Sequence, residues 1–67
     1  MNDRERIGKR IAELRSAKGI SQAHLSELTG IAPGNIARIE LGKYSTGIDI
    51  LSKIAKALNY KVDFVKE

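Results

Sequence analysis

The chain has 67 residues with 12 basic and 8 acidic side chains, no cysteine and one histidine, for a formal charge of +4 and a pI near 9.7. That length suits one domain near the lower limit for an unassisted core, and neither a disulfide nor a His/Cys metal cluster is available to staple it. No apolar run approaches the roughly 20 residues of a membrane span and no signal-peptide pattern opens the chain, so it reads as a cytoplasmic protein without cofactor or membrane partner, its positive balance favouring a polyanion.

The first helix is expected from about Arg4 to Lys18, capped by Asn2 or Asp3, with Ile7, Ile11 and Leu14 as its apolar stripe. Gly19 ends it, after a lysine suited to the negative end of the helix dipole. Ser21 caps a second helix that stops at Gly30, where glycine supplies the positive φ of a tight turn. Ser26, four residues earlier, is small enough to let the following helix approach. Thr29 shares a face with Leu25, where a larger apolar residue would pack better, and Leu28 falls at the edge. The third helix starts around Pro33, whose missing N–H costs nothing in a first turn, and ends near Leu41 before Gly42. Ile36 and Ile39 give it an inward face and leave polar side chains outside. Two short helices around such a turn form a helix-turn-helix, over about residues 21–41, of the kind that sets its second helix into the major groove of DNA.

A loop over residues 43–47 leads to a fourth helix. Thr46 and Asp49 stand at capping-box spacing, and Leu51, Ile54, Ala55 and Leu58 form the inward stripe. Ile48 is expected to tuck the start of this helix into the core, and Asn59 to close its end. The fold class is therefore all-α, a bundle of four helices. The tail alternates Tyr60, Val62 and Phe64 with Lys61 and Asp63, the pattern of a short strand over residues 60–66, with a fifth helix through Val62 and Val65 as the alternative. A lone strand leaves its backbone unsatisfied, so antiparallel pairing with a second copy would give a homodimer with Tyr60, Val62 and Phe64 in its interface.

Ser21-Gln22, Leu25-Ser26, Thr29-Gly30-Ile31, Ile36-Ala37-Arg38-Ile39-Glu40 and Gly42-Lys43, followed by Ile48, Leu51, Lys53-Ile54-Ala55 and Ala57-Leu58, resemble the phage-repressor, or Cro/XRE-like, helix-turn-helix regulators over roughly residues 7–60. The resemblance implies a mostly helical domain of five elements that binds operator DNA, usually as a dimer. Two positions depart from the pattern. Ala32 stands where similar proteins often cap the recognition helix with Ser or Thr, and the tail is more strand-like than the family's final helix.

In that context Asn35 and Arg38, three residues apart on the recognition helix, are the candidate base readers: Asn suits adenine N6/N7, and Arg suits guanine O6/N7. Gly34 lets the backbone approach the groove, and Pro33 or Ala32 could touch a thymine methyl. Gln22 lies in the first turn of the second helix, where free N–H groups favour a phosphate oxygen, and similar proteins use the matching glutamine in this way. Ser21, Lys43, Tyr44 and Ser45 are further phosphate candidates, which position without specifying sequence. The resemblance implies a partly buried ion pair between Arg15 and Glu40, an architectural role. His24 reads as an exposed residue, with a phosphate or base-edge contact as the alternative, and has no second ligand at metal spacing.

The favoured function is a sequence-specific regulator, a repressor, that binds a palindromic operator on double-stranded DNA as a homodimer. The alternative is an antitoxin-type module that autoregulates its operon with a toxin partner. An enzyme is disfavoured, because no P-loop, Gly-rich dinucleotide turn, histidine pair or cysteine nucleophile is present.

Overall fold

The computed structural model describes residues 1–67 as four helices: α1 (Asp3–Lys18), α2 (Gln22–Thr29), α3 (Pro33–Glu40) and α4 (Ile48–Ala57). Their ends follow from local chemistry. The Asn2 side chain accepts from the Glu5 N–H at 2.9 Å while Glu5 Oε1 accepts from the Asn2 N–H at 3.0 Å, a closed capping box that starts α1 at Asp3, one residue earlier than the apolar stripe suggests. Gly19 and Gly30 turn the chain with φ of 76° and 75°. The Ser21 hydroxyl accepts from the His24 N–H at 3.0 Å and so caps α2.

Every helix lends residues to one core: Ile11 from α1, Leu25 from α2, Ile36 and Ile39 from α3, and Ile54 from α4, completed by Ile31 and Leu58. Leu25, Ile36 and Ile54 are its fully buried centre. Burying a side chain of this size contributes about 1.5–3 kcal/mol, the main source of stability in a chain without cross-links.

Gly8 is buried where α1 crosses α3, and a Cβ placed there would lie 2.1 Å from the Ile39 carbonyl oxygen. Gly42, with φ of 73°, turns the chain out of α3 directly against the backbone of Glu5.

Three expectations need correction. Thr46 does not cap α4: its N-cap is Gly47, with no side-chain acceptor, and the Thr46 hydroxyl is buried without a partner. Ile48 is exposed, whereas Ile50 packs against the core. At 100° per residue, Ile48 points about 120° away from Ile54, and Ile50 only about 40°. The tail over residues 60–67 is neither strand nor helix and is exposed throughout. Asn59, in the left-handed region at φ 68°, ends α4 with the Tyr60 N–H donating to the Ala55 carbonyl at 2.7 Å. Beyond that closure no strand within the same chain lies alongside to pair with.

Candidate nucleic-acid interface

The turn between α2 and α3 is closed by side chains. The Ser26 hydroxyl donates to the Ile31 carbonyl, and the Thr29 hydroxyl donates to the Leu25 carbonyl at 2.8 Å while accepting from the Ile31 N–H at 3.2 Å. Thr29 is therefore not a poor packing residue. Its hydroxyl satisfies the Ile31 N–H, which an apolar side chain would leave unpaired.

On α3, Ile36, Ile39 and Glu40 are buried, while Pro33, Gly34 and Arg38 are exposed and Asn35 lies half-buried on the flank. Ala32 gives α3 no side-chain cap, and its carbonyl accepts from the N–H groups of Asn35 and Ile36 at 3.0 and 3.1 Å. Pro33 has no N–H, so the N–H of exposed Gly34 stands unpaired at the helix start. Arg38 Nη1 donates to Asn35 Oδ1 at 3.4 Å, a long bond that keeps the two polar heads together on the outer face. After α3 the Lys43 N–H donates to the Arg38 carbonyl at 2.9 Å, which fixes exposed Lys43 just beyond the helix, next to exposed Tyr44 and Ser45.

Behind this face lies the ion pair. Arg15 donates from Nε to Glu40 Oε2 at 2.7 Å and from Nη2 to Oε1 at 3.0 Å, a two-pronged contact between α1 and α3. The side chains are 16% and 5% exposed, respectively. Arg15 Nη1 also donates to the Ile20 carbonyl at 2.9 Å. The hydrogen bond to Glu40, reinforced by its charge and opposed by burial, raises the guanidinium pKa above its ordinary value.

Gln22 joins this cluster, which sequence reasoning missed. Its Nε2 donates to Glu40 Oε1 at 2.9 Å, so one amide hydrogen is committed inside the protein and locks the start of α2 to the end of α3. The second hydrogen and the carbonyl oxygen are not bonded within the chain. Nothing local signals a contact across 18 residues; only the shared proximity of Gln22 and Arg15 to one carboxylate reveals it. The Ser21 hydroxyl accepts at the cap and makes no donated bond within the chain. Tyr60, Val62 and Phe64 lie in the exposed tail, in grooves lined by α1 and α4 residues and by none of α3. No group of His, Cys, Asp and Glu side chains is arranged to hold a metal ion, and no helix is long and apolar enough to cross a membrane.

Comparison with known proteins agrees with this architecture. The HTH-type transcriptional regulator PuuR of Escherichia coli (strain K12) is 41% identical over 49 residues, 73% of this chain but 26% of that protein, so the chain spans about a quarter of its relative. The uncharacterized HTH-type transcriptional regulator YgzD of Bacillus subtilis (strain 168) is 36% identical over 84% of this chain and 85% of its own length. The crystal structure of the restriction-modification controller protein C.AhdI from Aeromonas hydrophila superimposes with a TM-score of 0.85 at 34% identity, covering 88% of this chain and 89% of that one. With the helix-turn-helix family model matching residues 11–65 as well, the chain belongs to the phage-repressor (Cro/XRE-like) helix-turn-helix family of DNA-binding transcriptional regulators.

Proposed function

We propose that the chain is a sequence-specific repressor that inserts α3 into the major groove of a palindromic operator as a homodimer. The observation that carries this reading is the division of α3. Ile36, Ile39 and Glu40 anchor one side, Gly34 and Arg38 stand exposed on the other, and half-buried Asn35 lies on the flank between them. Arg38 reads guanine and Asn35 adenine. Gln22, Lys43 and the Gly34 N–H hold phosphates on either side, with Ser21, Tyr44 and Ser45 lending further contacts. Because Gln22 is tied to Glu40, a phosphate bound there also fixes the tilt of α3.

In-vitro selection of bound duplexes tests the reading. The wild type should enrich one sequence, and Arg38→Ala should lose preference at a guanine position by about 1–3 kcal/mol while keeping non-specific affinity. Equal binding of wild type to random and selected duplexes at physiological salt would reject it.

The homodimer is proposed from the tail. Phe64 and Val65 are almost wholly exposed and Tyr60 and Val62 partly so, beside a groove lined by Ile7, Leu14 and Leu51. A second copy that covers these residues would set two recognition helices about 34 Å apart, one turn of B-DNA. Sedimentation at micromolar concentration should give a dimer, and Phe64→Ser with Val65→Ser should give a monomer. A monomeric wild type would sink the palindrome with it.

A further inference from the structure

We infer that the groove between the C-terminal end of α1, α2 and α4 is a docking surface for an acidic, amphipathic segment of a partner protein. The open groove, about 610 Å³, is rimmed by Lys18, His24, Lys53 and Lys56, with no carboxylate in its lining. None of the three lysines makes an ion pair within the chain; Arg6, Arg10 and Arg15 on α1 each do. The nearest acids on the same helices, Glu27 on α2 and Asp49 on α4, lie outside the lining. The rest of the lining is Ile20, Leu28, Ala57 and Thr29, whose hydroxyl is taken up by the Leu25 carbonyl and the Ile31 N–H; Ile20 is half-buried and Leu28 is more than half exposed.

Helix geometry sets this groove apart from the base-reading face. Gln22 and Ser26 on α2 bond across to Glu40 and Ile31. His24 and Leu28 each lie two residues further on, about 200° round the helix, so they point away from α3. A duplex read by α3 therefore leaves the groove open. Charge complementarity selects the occupant. Unpaired lysines favour carboxylates, and exposed Leu28 beside Ile20 favours an apolar side chain, a combination met by an amphipathic acidic helix and not by a phosphate backbone. The inference stands independently of the operator reading, because Lys53, Lys56 and Leu28 have no part in it.

The test titrates the ¹⁵N-labelled full chain with a synthetic helical peptide of about 16 residues carrying a leucine stripe flanked by glutamates. A peptide of the same composition with its leucines dispersed, and a short DNA duplex, serve as comparisons. The striped peptide should shift the amides around Lys18, His24, Leu28, Lys53 and Lys56 and leave α3 unmoved. Lys53→Gln with Lys56→Gln should weaken this binding about fivefold, as should Leu28→Ser, with the choice among duplexes unchanged. The inference is overturned if the groove amides stay still, if the dispersed peptide binds equally well, or if the variants bind like the wild type. It is equally overturned if the duplex shifts those amides, marking a phosphate track, or if they shift with protein concentration alone, marking a second copy as the occupant.

Discussion

Gly8→Ala should destabilise the fold by about 2–3 kcal/mol, although alanine is the better helix former. In an open helix the change would gain roughly 1 kcal/mol, because glycine loses more backbone entropy on folding. Here the new methyl would stand 2.1 Å from the Ile39 carbonyl oxygen and 2.8 Å from that of Glu40, both backbone atoms that cannot rotate aside. The only relief is to move α1 off α3, and that movement strains the Arg15–Glu40 contact spanning the same two helices. Urea denaturation reads the effect directly. Against a total of roughly 3–10 kcal/mol for a chain of this size, the loss is large. Gly34→Ala is the matched comparison. Nothing lies within 4 Å of its Cβ position, so this second change should leave stability unchanged or raise it. Only the glycine packed against another helix's backbone resists the change. If Gly8→Ala melts at the wild-type temperature, the helices do not cross at this distance.

The contrast marks where the sequence was legible. Asn2, Gly19, Ser21, Gly30 and Pro33 act within four residues of their own position, so a cap or a turn can be read from the string alone. The inward faces of α1 and α3 were equally plain, because isoleucines repeat at helical spacing. Gly8 was not legible: its reason for being glycine is a carbonyl more than thirty residues away. Gln22 carried a sound local argument, a polar side chain at a helix start, and the same residue turned out to be held by Glu40. Thr46 and Asp49 matched a capping pattern, yet the chain enters α4 at Gly47 and buries the Thr46 hydroxyl instead. The tail shows a different limit. Alternation of apolar and charged residues over 60–64 describes a ribbon with two faces, but a strand also needs a neighbour, and one chain offers none. The outward residues of α3 could be named from spacing because the inward isoleucines that set which face turns out, Ile36 and Ile39, lie within a few residues of them.

The second large effect belongs to Glu40→Ala, expected to cost about 3–5 kcal/mol, nearer the lower figure because Arg15 remains 16% exposed and water can reach it. The carboxylate accepts three hydrogen bonds, two from Arg15 and one from Gln22, so its removal strands a charge and an amide together. Glu40→Gln keeps the shape but loses the charge, and should fall between the two. Replacing the pair together, Arg15→Met with Glu40→Leu, leaves no stranded charge and should recover most of the loss. The pH response has a definite sign. Arg15 titrates at a higher pH folded than unfolded, so its stabilising contribution is complete below the unfolded value and fades only as pH climbs through the folded one. Raising the pH from 7 to about 10 should therefore leave the Glu40→Ala penalty unchanged, since a guanidinium holds its proton throughout that range. DNA selection on the same variants separates architecture from recognition. Because Glu40 holds both Arg15 and Gln22, the Met/Leu double variant should fold yet bind duplexes more weakly, with Gln22 no longer fixed against α3. Wild-type affinity in that variant would mean that the start of α2 needs no tether to present a phosphate donor.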